Sequence, residues 1–147
     1  EMYLNLAEIL IELDALENTT GRLEEAKGLI DKIRVRAGIP TIDEAWKKAN
    51  HPEKANTAEG LREIVRRERQ IEFYLENQRF WDLRRWKDAG ILGEKVWGMN
   101  IEGDTDETFF VPTELQNIRT FKQAQYLMPI PMTETNKVPH IVQNPGY

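Results

Sequence analysis

Cysteine is absent from this sequence of 147 residues, and histidine occurs only twice, as His51 and His140. The lack of cysteine excludes disulfide bonds, thiolate metal sites and cysteine nucleophiles. Both histidines stand next to prolines and lack the short spacing of metal ligands, so we predict no metal site. With so few histidines, and with no glycine-rich phosphate loop or nucleophile elbow, the sequence offers little material for triad or phosphoryl chemistry.

Long apolar runs and an excess of positive charge are also missing. The longest apolar candidate, residues 4–16, contains Asn5, Glu8, Glu12 and Asp14, so no run approaches the ~20 residues that cross a bilayer. The net charge is -5, and the arginines between positions 62 and 85 alternate with acidic residues. Nucleic-acid binding requires clustered positive charge. We therefore predict a globular protein without a nucleic-acid partner.

The first part of the chain shows the periodicity of a helical hairpin. Residues 2–17 predict a helix that is apolar almost all round, which is typical of a central helix in a bundle. A turn at 18–21 offers Thr20 or Gly21 as the next N-cap. The second helix should end near Ala37, because Gly38 suits a left-handed C-terminal position and Pro40 cannot continue the helix. Two such helices form a hairpin of the kind found in tetratricopeptide-like repeats.

Helical patterns continue to about residue 90 and then stop. The capping-box pattern at 41–44 predicts a short helix over 42–49. A longer helix is predicted over about 57–76, starting from Asn56, and a further one or two turns over 79–87. After Gly93 the glycines, the prolines and the lack of a 3.6-residue period predict irregular structure with a few short strands, near 97–101 and 108–111. The prediction is a mainly α protein with a helical core, 1–90, and a loop-rich tail, 91–147, packed on it.

A carboxylate interrupts the apolar stripe of the helix at 57–76. The stripe should bury five residues: Leu61, Ile64, Val65, Ile71 and Leu75. Glu68 fills its gap, and Glu72 lies beside it one turn later. A carboxylate that faces a core needs a paired, hydrogen-bonded partner, and Arg34 and Arg36 are the obvious ones. We predict a structural ion network of these four charged residues, since an acid–base pair would require a cleft that nothing here supplies. No catalytic residue is predicted.

Exposed aromatic faces are the feature by which a loop-rich region would bind a sugar ring. The candidates after residue 90 are Trp97, Phe109, Phe110 and Phe121, with Asn100, Asp104 and Asp106 nearby as hydrogen-bonding groups. Trp97 is the candidate ligand-binding residue, although each of these aromatics is more typical of a packing anchor. The earlier aromatics, Phe80 and Trp81, have the spacing of core residues with arginines stacked on their faces.

Several segments together resemble the C-terminal region of the SusD/RagB family. They are Leu4–Glu8 (LNLAE), Ile33–Gly38 (IRVRAG), Glu68–Phe73 (ERQIEF), Asp82–Trp86 (DLRRW), Leu127–Pro131 (LMPIP) and the terminal Gln143–Tyr147 (QNPGY). The resemblance covers nearly the whole chain. It departs mildly at Phe73, where the family commonly has leucine, and at Asn77, where glycine is common.

The resemblance implies a non-enzymatic, cofactor-free binding protein on the cell-surface face of the outer membrane. Such a protein would capture a glycan or related nutrient for a SusC-like TonB-dependent transporter, and polysaccharide utilisation would be its context. The chain starts abruptly, without a signal peptide or lipobox cysteine. We therefore expect a single-domain, C-terminal fragment of a lipoprotein, mainly scaffold, whose N-terminal lipid anchor lies outside this chain. The alternative is a tetratricopeptide-like protein–protein interaction module.

Overall fold

The protein is mainly α-helical, as predicted. The computed structural model describes residues 1–115, 119–138 and 140–147, so the parts of the predicted tail at 116–118 and 139 lie outside the described residues. The α-helices within those ranges are α1 Met2–Glu17, α2 Leu23–Arg36, α3 Ile42–Trp46, α4 Ala58–Glu72, α5 Gln78–Arg85, α6 Asp106–Phe109 and α7 Met132–Lys137. Short 3₁₀ helices occupy Pro52–Asn56, Ala89–Gly93 and Gln123–Tyr126. Strand β1, Trp97–Met99, pairs antiparallel with strand β2, Pro112–Glu114.

The chain divides into two compact units, Glu1–Arg79 and Phe80–Tyr147. The first contains the predicted helical hairpin and α4. The second contains nearly all of α5, the two strands and the C-terminal segments. The packing of a tail onto the helices stays a prediction.

The core of the first unit lies between α1, α2 and α4. Their buried apolar side chains recur at the helical spacing, and burial of such a stripe is the main source of helix stability in a folded protein. The cluster consists of Leu4, Ala7, Ile11, Leu23, Ala26, Leu29, Ile30, Ile33, Ile42, Ala55, Leu61, Ile64, Val65 and Phe73. Helix α4 therefore packs along the side of the hairpin that α1 and α2 form.

Local side-chain chemistry sets the helix starts. The predicted capping box at α3 is confirmed, because Thr41 Oγ1 accepts from the Glu44 backbone N–H at 3.4 Å and Glu44 Oε2 accepts from that of Thr41 at 3.2 Å. At α4 the N-cap is Thr57, whose Oγ1 accepts from the Gly60 N–H at 3.1 Å, and the predicted start at Asn56 is wrong. A Cβ on Gly60 would lie 2.2 Å from the Lys54 carbonyl oxygen, so this close approach of the 3₁₀ helix requires glycine.

Two predictions about buried helix faces are wrong. Helix α1 buries one face only, and its other face leaves five apolar residues exposed: Met2, Leu6, Ile9, Leu13 and Leu16. Helix α4 ends at Glu72 rather than at 76, because Leu75 and Asn77 adopt positive φ angles of 66° and 67°. Ile71 and Leu75 are consequently exposed, and Phe73 takes the buried position instead.

The second unit corrects the strand predictions. The first strand falls inside the predicted range 97–101, but the second lies at Pro112–Glu114 rather than at 108–111. Residues 106–109 form a short helix instead, since Thr105 caps it reciprocally with Thr108. Helix α5 covers most of the predicted 79–87 and ends before Lys87, whose φ is 63°.

The C-terminal residues are tied to the segment around Ile130 by side-chain amides. Gln143 Oε1 accepts from the Ile130 N–H and Gln143 Nε2 donates to the Ile130 carbonyl, each at 2.8 Å. Asn144 Nδ2 donates to the Met128 carbonyl at 2.6 Å, and Tyr147 Oη donates to the Leu127 carbonyl at 3.1 Å. Side-chain hydrogen bonds to the backbone thus hold the terminal segment Gln143–Tyr147 against Leu127–Pro131.

Candidate functional site

Arg34 at the end of α2 and Glu68 in the middle of α4 form a buried ion pair. Arg34 Nη1 donates to Glu68 Oε1, and the two side chains are 12% and 8% exposed. Arg34 Nε also donates to the Pro40 carbonyl at 2.7 Å. The guanidinium therefore donates hydrogen bonds both to the Glu68 carboxylate on α4 and to the Pro40 carbonyl in the segment after α2. A buried charge requires hydrogen-bonded partners of this kind.

Arg36 and Glu72 form a second pair one turn further on. Arg36 Nη2 donates to Glu72 Oε2, with Arg36 70% and Glu72 21% exposed. The structure thus brings together all four charged residues of the predicted network as two separate pairs, one buried and one near the surface. Each carboxylate is bound by a guanidinium, so neither Glu68 nor Glu72 has the freedom of a general acid or base in this arrangement.

An equally specific pair, which the sequence does not predict, joins α1 and α4. Arg62 Nε and Nη2 donate to the two carboxylate oxygens of Glu12 at 2.6 and 2.7 Å. The hydrogen bonds that Arg62 donates to Glu12 raise the pKa of Arg62 above its ordinary value, although partial burial opposes this. This fork-to-carboxylate geometry is bidentate, and it fixes the register of α4 against α1. Only a three-dimensional structure could reveal a pairing across 50 residues.

Asp14, a polar residue of α1, is fully buried and organises the turn that follows. Its carboxylate accepts from Thr19 Oγ1 at 2.7 Å, from the Arg22 backbone N–H at 2.7 Å and from Arg22 Nη1 at 3.0 Å. Burial opposes ionisation, but these hydrogen bonds outweigh it and hold the pKa of Asp14 below its ordinary value. Because Asp14 accepts from the Arg22 N–H, α2 begins after Arg22, and the predicted N-caps Thr20 and Gly21 are wrong.

Trp97, the predicted ligand-binding candidate, lies on strand β1 with 61% of its surface exposed. Its cross-strand partner is Glu114, which Lys95 Nζ binds at 2.7 Å. Directly opposite residues of an antiparallel pair share a face of the ladder. The exposed Trp97 indole, the Glu114 carboxylate and the Lys95 ammonium group therefore lie together at one end of the β1–β2 ladder.

The other loop aromatics differ in exposure. Phe110 is 61% exposed, whereas Phe109 and Phe121 are half-buried and make edge-to-face contacts with Phe110 and Tyr126 at 5.2 and 4.9 Å. Asn100 does not project freely, because its Nδ2 donates to the Thr108 carbonyl at 3.1 Å. The carboxylates of Asp104 and Asp106 are exposed. Trp97 and Phe110 are thus the loop aromatics that present a ring to solvent.

Arg84 on α5 is the buried centre of the second unit. Its guanidinium donates to the Tyr126 carbonyl at 2.8 Å and stacks over Phe80 and Trp81 at 5.1 and 5.3 Å from the ring centroids. The arginine–aromatic stacking expected from the sequence is present, but the expected burial of the two rings in a core is wrong, since Phe80 and Trp81 are 37% and 52% exposed. A cavity of about 220 Å³ beside Arg84 is also lined by the C-terminal Tyr147. The arginine joins α5 to the Gln123–Tyr126 helix.

The first unit contains a groove of about 380 Å³. Trp46, Ile64 and Ile71 form its apolar part. Trp46 falls within the short helix predicted over 42–49, and the prediction that Ile71 is buried is wrong. The early end of α4 leaves Ile71 56% exposed, which creates the groove.

Among the described residues, no group of three or more histidine, aspartate or glutamate side chains could hold a metal ion. His51 Nδ1 is 3.1 Å from Glu53 Oε1 on the exposed surface, and the His140 side chain is exposed. None of the helices that the structure describes has the length and apolarity needed to cross a membrane.

The comparisons with known proteins decide the family. The SusD family model matches residues 1–147. The chain belongs to the SusD family. It is 29% identical over 146 residues to SusD-like protein P2 of Formosa agariphila, a match that covers 95% of this chain and 24% of that protein.

Solved structures agree with the family model. A crystal structure of a SusD-like protein from Bacteroides fragilis aligns with a TM-score of 0.73 and 36% identity, over 100% of this chain and 24% of that one. The protein designated BT4246 aligns with a TM-score of 0.77 and 34% identity, over 100% of this chain and 23% of its own. This SusD-family chain therefore spans about a quarter of the length of the relatives it matches.

Proposed function

We propose that this chain is part of a cell-surface protein that binds a glycan or related nutrient and delivers it to a SusC-like, TonB-dependent transporter in the outer membrane. The observation that carries this proposal is the match of the SusD family model to every residue from 1 to 147. The protein would act by binding and release, without a cofactor and without catalysis, and an N-terminal lipid anchor outside this chain would hold it at the outer membrane.

Within that protein, the chain is mainly scaffold. The charged side chains that could otherwise bind a ligand are largely engaged with one another, as Arg34 is with Glu68 and Arg62 with Glu12. Arg84 is likewise held by Tyr126 and Met128. Groups that already have partners add little to ligand binding, because each new contact would break an existing one.

Trp97 is the residue of this chain that we propose to contact the ligand. Its exposed indole offers an apolar face against which a sugar ring can stack, and Glu114 and Lys95 lie beside it as hydrogen-bonding groups. Small-ligand sites commonly combine apolar rings with a few polar groups that fix orientation. The contact would be peripheral, since one aromatic ring contributes only part of a binding site.

The experiment that tests the proposed function is a growth assay. Deletion of the gene for the whole protein in its native host should slow growth on the polysaccharide that the protein binds, while growth on the constituent monosaccharide stays normal. Complementation should restore the growth rate, and the transporter should co-purify with the complementing protein from outer membranes. Equal growth on every polysaccharide tested, or recovery of the protein away from the cell surface, would contradict the proposal.

A further inference from the structure

The groove of the first unit combines an apolar lining with an arginine that has no ion-pair partner among the described residues. Its charged lining consists of Arg34, Glu63, Arg67 and Glu68. Arg34 binds Glu68, and Lys54 Nζ binds the Glu63 carboxylate. The charges of Arg34, Glu63 and Glu68 are therefore neutralised by ion pairs within the first unit.

Arg67 differs from these neighbours. It lies on α4, one turn after Glu63 and one turn before Ile71, and its side chain is exposed. Within the described ranges, no carboxylate lies within ion-pairing distance of its guanidinium, and Glu63 on the preceding turn is held by Lys54 instead. The groove therefore carries one uncompensated positive charge at its rim, and an anionic group is the partner that would complete it.

The rest of the lining favours an apolar occupant. Trp46 is half-buried, Ile64 is 4% exposed and Ile71 is 56% exposed. These side chains offer mainly apolar surface, and the Trp46 indole N–H is the one hydrogen-bond donor among the three, whereas a sugar presents several hydroxyl groups that would lose hydration without gaining enough partners. A large apolar side chain gains from the same burial, at roughly 25 cal/mol per Å².

We propose that this groove binds a segment of a partner protein in which a large apolar side chain stands next to an aspartate or glutamate. The apolar side chain lies against Trp46 and Ile71, and the carboxylate is bound by Arg67. A guanidinium can accept a carboxylate through two parallel hydrogen bonds, so Arg67 sets the direction in which the segment runs. Trp97 belongs to the other compact unit, and this proposal does not depend on whether the whole protein binds a glycan.

A phage-displayed library of random twelve-residue peptides, panned against the 147-residue chain, tests this proposal. We expect the enriched peptides to share an aspartate or glutamate beside a leucine, phenylalanine or tryptophan. Synthetic copies should bind in calorimetry, with affinity reduced about tenfold by Arg67→Gln, because charge-assisted hydrogen bonds are the stronger class. Ile71→Ser should weaken binding by a similar factor through the loss of apolar contact.

Matched controls separate the groove from the general charge of the protein. Arg119 is also exposed and lies in the other unit, so Arg119→Gln should leave peptide affinity unchanged. Circular dichroism should show unaltered helix content in all three variants, since each replaces an exposed side chain.

Three results would overturn the proposal. The first is a library that yields no binders, and the second is a set of binders without an acidic residue or without sensitivity to Arg67→Gln. The third is a titration with methyl β-glucuronoside that shifts the indole N–H resonance of Trp46, assigned with Trp46→Phe, while the peptides do not. That last result would assign the groove to an acidic sugar instead.

Discussion

Glu68 in the middle of α4 lies against Arg34 at the end of α2, and the two side chains are buried together although 34 positions separate them in the sequence. The pair sits at the point where the apolar stripe of α4 would otherwise be continuous. A carboxylate in this position is tolerated only because a guanidinium neutralises it.

Removing that carboxylate should destabilise the fold strongly. We expect Glu68→Ala to lower the free energy of unfolding by roughly 3–5 kcal/mol, because Arg34 is left buried and uncompensated. Urea denaturation followed by circular dichroism measures the change. Glu72→Ala is the matched control, since its partner Arg36 is 70% exposed, and the loss there should be about 1 kcal/mol or less. A Glu68→Ala loss below about 1 kcal/mol would contradict a buried structural role for this pair.

The turn after α1 should make stability depend on acid pH through Asp14. Its pKa is lowered in the folded state, so its stabilisation is fully present above the unfolded value of about 3.9. It is lost as the pH falls through the lower folded-state pKa. The thermal midpoint of the chain should therefore exceed that of Asp14→Asn near neutral pH, and the difference should shrink below about pH 4. A difference that stays constant down to pH 2 would show that ionised Asp14 does not stabilise the fold.

The C-terminal glycine should be irreplaceable. Gly146 has a φ of +92°, and a Cβ at this position would lie 2.7 Å from Ala124 Cβ. Gly146→Ala combines backbone strain with this clash, and we expect a loss of about 1–3 kcal/mol in the free energy of unfolding. Gly90→Ala provides the control, because a Cβ there meets no atom within 4 Å. Equal denaturation midpoints for the two variants would mean that the terminal segment is not anchored as described.

Trp97 should affect ligand binding without affecting stability. It is 61% exposed, so Trp97→Ala should change the free energy of unfolding by less than about 0.5 kcal/mol. In the full-length protein the lost burial of an aromatic face, about 1.5–3 kcal/mol, should reduce glycan affinity by a factor of roughly 10 to 150. Phe110→Ala, at the same exposure, is the control, and equal affinity losses for both variants would remove the special role of Trp97.

The sequence predicted those features that depend on local periodicity or on an obvious conflict. The hairpin of α1 and α2 and the capping box at Thr41 followed from spacing, and the pairing of Glu68 with an arginine at the end of α2 followed from the cost of a lone buried charge. The family resemblance was visible because its short segments occur in a fixed order, and the family comparison confirms it.

The positive φ angles of Leu75 and Asn77 and the contact between Arg62 and Glu12 could not be predicted. The periodic pattern of α4 continues to Leu75, but the left-handed conformations of Leu75 and Asn77 end the helix sooner and create the groove beside Trp46. The pairing of Arg62 with Glu12 joins residues 50 positions apart. Helical spacing alone does not distinguish Glu12 from the other acidic residues as the partner of Arg62, because the packing of α1 against α4 determines which carboxylate Arg62 contacts.

Calorimetric titration of this chain and its full-length parent against one panel of host, plant and microbial polysaccharides tests the central claim most directly. The account predicts that the parent binds at least one polysaccharide and that the isolated chain binds it far more weakly or not at all, because the chain is mainly scaffold. If neither protein binds any member of the panel, glycan capture is contradicted.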